Sequence, residues 1–524
     1  MVKRTRGTLF SSFIPKYIRL LSHFLLLVFV SGKAIEVYGD APLDGFDSYV
    51  EEKMQKWQVP GLALAVVKDD EIVFAKGYGT RTVGKKEPVD KDTLFAIASM
   101  SKYITATSLA MLVAKGVISF DDPIVKYLPN FKVKDPLITQ QITIRDVLSH
   151  RTGLQRADFA WGTRPSLTRK EILSLLQHLD NEGRFRDSYI YNNLLYMAAG
   201  EVIPAVTGDS WDEFVKQRIF LPLRMTRSNT SVDDLAGVDN IATPHALVAG
   251  RIVSIPYQRV DNAGSAGAIN SSISDMAEWL RMQINGGEFE GERLVPLSLL
   301  KDTRRIHNNY QRFRQEGKIR KDLFVDEFQH IGLGIMINKV TADIIYGHGG
   351  GLLGTSSFNA FIPSLELGVV VLTNRANGLA TPLVGEIIDR YQGVQREVDG
   401  VDALMNRRKD ELESKAEELL RLKYNRSQRE PSMVLDGYTG QYQNDLMGTF
   451  IVGIQEGNLV FRWGEVAKGT MVHVSGNTFI KRILEPKGVS DLMGSEAVVE
   501  FKRGDGRLAQ SILVDGYTFT RADD

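Results

Sequence analysis

The chain has 524 residues, 43% apolar and 24% charged, which is enough for more than one soluble domain with a core of its own. Its 64 basic and 64 acidic residues cancel, so the electrostatic footprint of a nucleic-acid binder is absent and a small-molecule or short-peptide substrate is the simpler partner. With no cysteine there is neither a thiolate nor a disulfide framework, and the eight histidines form no H-E-x-x-H or other tight cluster, so neither a metal nor a cofactor is expected.

Lys3, Arg4, Arg6, Lys16 and Arg19 precede an apolar stretch from Leu20 to Val30, and the small residues Ser31, Gly32, Ala34 and Gly39 follow. That run is short for a bilayer span, so residues 1–40 read as a signal peptide cleaved between Ala34 and Ala41, with a retained anchor as the alternative. The protein is therefore expected to be exported, periplasmic or secreted, and to meet a membrane only through that segment if it is not removed. An amphipathic helix from Phe46 to Trp57 then leads into a hairpin, Leu62 to Val67 and Ile72 to Ala75, turned at Asp69 and Asp70.

From Thr93 to Ala98 the chain is short, apolar and without helical period, whereas Ala106, Leu109, Ala110 and Val113 follow the spacing of a helix ending at Gly116. Ser99 is thus expected at a helix start, with Lys102 one turn on and on the same face. A hydroxyl beside an amine that takes its proton is a nucleophile for acyl transfer, and unpaired N–H groups at the helix end favour the charge that develops. Ser298-Leu299-Leu300-Lys301 repeats the spacing inside a plain amphipathic surface helix, so the motif alone decides nothing. Tyr191-Asn192-Asn193 stands before the apolar helical run Leu194, Leu195, Met197, Ala198, and Tyr442-Gln443-Asn444 repeats it in a strand region. His348-Gly349-Gly350 follows the apolar Ile344 to Tyr346, and His330-Ile331-Gly332 repeats that. The middle of the chain, Ser99 to about Gly287, reads as helical and loop-rich. Ile331 to Ile337, Ile344 to Tyr346, Phe358 to Ile362 and Gly368 to Leu372 return to strands.

Asp402 to about Arg429 is a highly charged helix of linker type. After Pro431 come short strand-like runs, Tyr438 to Tyr442, Gly448 to Ile454, Asn458 to Trp463, Met471 to Val474, Thr478 to Lys481, Ala497 to Lys502 and Gln510 to Val514, as in a small antiparallel barrel.

The ordered set S-x-x-K, Y-x-N, H-x-G resembles the serine β-lactamase and penicillin-binding-protein-like hydrolases, in particular the class C-like branch with D-stereospecific peptidases and esterases. The resemblance covers roughly residues 44 to 390. Leu148-Ser149-His150-Arg151-Thr152-Gly153-Leu154, Gly264-Ser265-Ala266-Gly267 and Val369-Val370-Val371-Leu372-Thr373-Asn374 add to it. It implies an α/β (α+β) domain over residues 41–395, with an antiparallel sheet flanked by helices and a helical subdomain. A charged linker, 396–430, and a lipocalin-like barrel, 431–524, would follow. It further implies Ser99 as nucleophile, Lys102 as its amine partner, Tyr191 as base, and Asn193 as the contact to the substrate amide. The backbone N–H groups of Ser99 and Gly351 would face the oxyanion, and Gly349, Gly350 and Gly351 would let that strand approach substrate.

The third motif departs from the family's Lys-Thr-Gly. Tyrosine titrates near ~10 and lysine near ~10.4, so a base at neutral pH needs about 3 units of depression, roughly 4 kcal/mol. Cationic Lys102 would lower the Tyr191 pKa, and a neutral His348 would add nothing. His348 also removes a fixed cation for carboxylates, so the expected activity is esterase or D-amino-acid peptidase, with β-lactam hydrolysis weak or absent. No G-x-S-x-G exists for an α/β-hydrolase plan. The alternative is a catalytically inactive binder of peptide or cell-wall fragments, its ligand held by the barrel. An oligomer is compatible with either reading.

Overall fold

Two apolar runs from opposite ends of the first domain, Gly61–Lys68 and Leu367–Thr373, pair antiparallel from Leu62 opposite Thr373 to Lys68 opposite Leu367. Both are buried almost throughout, as strands covered on two faces must be. In the computed structural model, which describes residues 42–310, 324, 328–339, 343–425, 429–485, 496–504 and 506–522, they join the two halves of one sheet. Its strands are β1 (Gly61–Lys68), β2 (Glu71–Gly79), β3 (Asn308–Asn309), β4 (Phe328–Ile331), β5 (Met336–Asn338), β6 (Ile345–Leu352), β7 (Thr355–Ile362) and β8 (Leu367–Thr373). Their order is β2-β1-β8-β7-β6-β5-β4-β3, antiparallel throughout. The expected leader, residues 1–40, lies outside the described residues. Among the described residues no helix is long and apolar enough to cross a membrane.

The helices that matter to the site are α1 (Phe46–Lys56), α2 (Ser101–Ala114), α3 (Asp158–Gly162), α4 (Asn193–Thr207), α5 (Ile273–Ile284), α6 (Ala380–Gln392) and α7 (Gly400–Asn425). Successive residues of β7 face opposite sides of the sheet. Phe361 stacks on Tyr103 of α2, whose other edge meets Trp279 of α5, while Phe358 packs against Phe324, which lies on Gly385 of α6. The sheet is thus sandwiched, and α2 is squeezed between it and the helical subdomain. This is the expected α/β architecture with an antiparallel sheet flanked by helices.

The highly charged segment forms the 26-residue helix α7, whose Arg407–Glu411 and Lys409–Glu413 pairs lie one turn apart while Val401 and Leu404 are buried. Beyond it an antiparallel barrel closes from β9 (Gly440–Asn444), β10 (Gly448–Gln455), β11 (Asn458–Trp463), β12 (Ala467–Ser475), β13 (Thr478–Glu485), β14 (Glu496–Arg503), β15 (Ala509–Val514) and β16 (Tyr517–Arg521). The sequence reading found seven of these eight strands and missed β16. Only Phe519 of that strand is fully buried, so its apolar alternation is faint, and its place comes from closing the ring on β9 at Tyr442 opposite Arg521. Tyr438, read as a strand start, lies in a helical turn, Leu435–Tyr438, that plugs the barrel end.

Inside the barrel Phe450, Phe461, Trp463, Phe479, Phe501 and Phe519 are buried and make ring-to-ring contacts. The barrel docks on the segment around α3. Trp463 stacks on Phe159 with centroids 4.6 Å apart, the Glu465 N–H donates to the Thr163 carbonyl at 2.7 Å, and the Tyr517 hydroxyl donates to the Arg156 carbonyl at 2.8 Å. Trp463→Ala removes a buried indole serving both the barrel core and this dock. It is expected to cost about 3–5 kcal/mol and to lower the melting temperature measured by calorimetry.

Candidate active site

Ser99 lies in a short helical turn, Ala98–Met100, that runs directly into α2. The turn is tied down on both sides. Ile97 donates its N–H to the Ile269 carbonyl at 3.0 Å, and the Ser101 hydroxyl donates to the Ala98 carbonyl at 2.7 Å. Ala98 takes a left-handed φ of 51°, a conformation a side-chain-bearing residue adopts only when its surroundings impose it. The expected helix start is therefore present, with the helical turn beginning one residue before Ser99.

Lys102 lies one turn on, and because α2 is buried on nearly every side its amine is fully shielded from water. Nζ is 3.2 Å from Ser99 Oγ, 2.7 Å from Asn193 Oδ1 and 2.6 Å from the Ala266 carbonyl. Burial drives its pKa well below the lysine range; Asp158 pulls it back up and Arg156 presses it further down. Three acceptors satisfy the ammonium. After deprotonation two N–H bonds remain for Asn193 and Ala266, and the lone pair is left facing Ser99.

The Tyr191 hydroxyl donates to Ser99 Oγ at 2.8 Å. Its position is set by the next residue, Asn192, which caps α4 by accepting the Leu195 N–H at 3.0 Å and donates to the Gln155 carbonyl at 2.7 Å. Burial raises the Tyr191 pKa, against the smaller lowering effects of the Ser99 hydrogen bond and Arg156. This corrects the expectation that a Lys102 cation would depress it. Both groups are desolvated, so each is driven toward its neutral form, and a neutral amine supplies no field. Tyr191 is held as a phenol that can pass on a proton.

His348 lies on β6, its Nδ1–H donating to the Gly349 carbonyl at 2.6 Å. Burial lowers its pKa to about 4 from an ordinary 6.5, so at neutral pH it is uncharged. Gly350 on the same strand passes so close to the Ser99 turn that a Cβ would lie 2.1 Å from the Ile97 carbonyl oxygen and 2.5 Å from Ser357 Oγ. Only glycine fits there. Ser99, Tyr191, His348, Asn193 and the three glycines 349–351 all line one cavity of about 960 Å³. Its far wall includes Val466, Ala467 and Ile483 of the barrel.

The Asn193 amide is engaged at both ends, since Nδ2 donates to Asp158 Oδ1 at 2.8 Å while Oδ1 meets Lys102. Sequence reasoning missed Asp158, its partner Arg156, and the cavity-lining His150. Asp158 sits between two arginine- and aromatic-containing stretches with no motif to announce it. His150 belongs to the stretch Leu148–Leu154, in which no spacing gave it a role. Its Nδ1 accepts the Asn192 N–H at 3.2 Å, and its ring lies 4.4 Å from that of Tyr191. The three repeated motifs stay apart from this cluster. Ser298 and Lys301 lie on the short helix Leu297–Thr303, Tyr442 donates to the Tyr438 carbonyl inside the barrel, and His330 meets Asn309 near the sheet edge.

The beta-lactamase family model matches residues 46–389, two thirds of the sequence. The chain belongs to that family. Among curated relatives it is 28% identical over 376 residues to an unguisins hydrolase of Aspergillus violaceofuscus, a match that takes in 68% of this chain and 66% of the relative. The chain thus spans just under two thirds of that relative's length. Among solved structures, an octameric penicillin-binding protein homologue from Pyrococcus abyssi aligns with 91% of this chain and all of its own, at TM-score 0.60 and 22% identity. A D-amino acid amidase from Ochrobactrum anthropi aligns with 67% of this chain and 99% of its own, at TM-score 0.54 and 21% identity. At those identities the two structures establish a shared fold.

Gly350→Ala forces the family's third-motif strand away from the Ser99 turn. It is expected to cost about 1–3 kcal/mol of stability and to depress turnover more than Gly349→Ala does, checked by thermal unfolding and ester hydrolysis of both variants.

Proposed function

We propose that the protein is a serine hydrolase that cleaves ester or amide bonds through an acyl-enzyme on Ser99. The observation that carries this reading is the convergence of a buried amine and a phenol on one hydroxyl, at 3.2 and 2.8 Å. Neutral Lys102 takes the Ser99 proton as Oγ attacks the carbonyl carbon, and the new ammonium finds its third acceptor already in place. The tetrahedral oxyanion faces the backbone N–H groups of Ser99 and Gly351. When the bond to the leaving group breaks, Tyr191 donates its proton to that group and is reprotonated from Lys102. Water then enters along the same path and gives a proton to the neutral base as its oxygen attacks the acyl carbon; when the ester bond breaks, that proton passes to Ser99 Oγ, which releases the acid and restores both the hydroxyl and the neutral base.

Substrate class follows from charge. His348 is neutral where the family's lysine would be cationic, and Arg156, which does line the cavity, donates Nε–H to Asp158 at 2.5 Å. A substrate whose binding needs no carboxylate at the third-motif position, an ester or a D-amino-acid amide or peptide, suits this site better than a penicillin. The relatives described above, a hydrolase and a D-amino acid amidase, support the same reading.

A panel of p-nitrophenyl esters, D- and L-amino acid anilides and nitrocefin tests the assignment. Esters or D-anilides are expected to turn over well ahead of nitrocefin, and Ser99→Ala is expected to lose about 10³–10⁶-fold in turnover and all labelling by a fluorophosphonate. Undiminished labelling of that variant would refute the nucleophile assignment. The pH profile follows from the directions above. The base must be deprotonated, so kcat/KM falls as pH drops through the lowered Lys102 pKa, an acid limb far below the ordinary lysine value of 10.5. His348 is expected to contribute no inflection near 6.5, because it protonates only around pH 4.

A further inference from the structure

An asparagine amide is nearly symmetric in shape and opposite in chemistry at its two ends. If Asn193 turned its NH₂ toward Lys102, a donor would face the N–H bonds of the amine and the base would lose one of its two fixed acceptors. Something must choose the orientation. Asp158 can, because a carboxylate only accepts. It is 8% exposed, and its Oδ1 receives both Asn193 Nδ2 at 2.8 Å and Trp161 Nε1 at 3.2 Å, while Oδ2 receives Arg156 Nε at 2.5 Å. Because an ionised carboxylate has no donor to offer, only the NH₂ end of Asn193 can bond to it. The Oδ1 end is then aimed at Lys102.

We propose that Asp158 is a positioning residue for the Lys102 base, acting through Asn193. This rests on the hydrolase reading above and adds to it a residue outside the three motifs. Asp158 acts in two separable ways. Its hydrogen bond sets the Asn193 amide, and its charge, carried through one amide to the amine, opposes the burial that keeps Lys102 neutral. The other titratable and charged groups facing Lys102 are Arg156 from the same segment, Tyr191 and Tyr196 around the start of α4, whose rings lie 4.8 and 5.3 Å from Nζ, His150, and His348 on β6. None of them bonds to the Asn193 amide.

Two substitutions separate the two effects. Asp158→Asn keeps a carbonyl oxygen that can accept from Asn193 but removes the charge. Lys102 should then deprotonate more easily, the acid limb of kcat/KM should move down by about one pH unit, and kcat on the plateau should stay within a few-fold. Asp158→Ala removes the acceptor as well, and kcat is expected to fall on the order of 10²-fold with KM little changed. A titration that needs no substrate accompanies the kinetics: with lysines labelled at ¹³Cε, the Lys102 resonance in Asp158→Asn should titrate about one unit below wild type. An unmoved resonance in that variant, or a wild-type kcat in folded Asp158→Ala, would overturn the proposal. Hydrolysis that survived Ser99→Ala would instead sink the nucleophile assignment, and the Lys102 titration would still decide the role of Asp158.

Discussion

A lysine amine kept out of water is the constraint from which the rest of this site follows. An exposed lysine titrates near ~10.4 and is useless as a base at neutral pH, and no neighbouring charge is needed to change that if the helix carrying it is buried on every side. α2 meets that condition because it lies between the sheet, through Phe361 and Tyr103, and the helices of the subdomain. Burial alone would make Nζ an orphan polar group. Asn193 and the Ala266 carbonyl prevent this, and they are matched to the neutral amine as well as to the ammonium.

The same desolvation assigns the other roles. Tyr191 and His348 are buried within reach of Lys102 and are pushed in opposite directions on the pH scale but toward the same state, uncharged. Burial thus favours the uncharged form of Lys102, Tyr191 and His348 alike. Polar groups fixed in such an environment gain most when charge develops, and the glycine-bearing strand β6 lines the same cavity as Ser99. Its closeness to the Ser99 turn is a backbone matter, set by the absence of side chains at Gly350.

One short segment links the two domains to this chemistry. Residues 156–163 present Asp158 to Asn193 on one side, and Phe159 and the Thr163 carbonyl to the barrel on the other. The barrel has its own aromatic core and contributes Val466, Ala467 and Ile483 to the cavity wall.

How much of this was legible in the sequence differs by kind of interaction. The Ser99–Lys102 spacing is local: residues three apart share a helix face whatever the rest of the chain does, and the charged helix α7, the hairpin at Asp69 and seven barrel strands are likewise written in short-range periodicity. The order of the three motifs carried the family and its fold. The pKa values were not legible, because desolvation depends on what covers α2. The expectation that a cationic Lys102 would lower Tyr191 failed on that account. Asp158 and the closing strand β16 were invisible for the same reason, each being defined by a partner 35 or more positions away, Asn193 in one case and Tyr442 in the other. The amino-acid sequence by itself thus determined which reactive groups exist and which helices and strands present them. Only the tertiary structure decided their protonation and orientation, since both depend on exclusion of water and on contacts that no local spacing encodes.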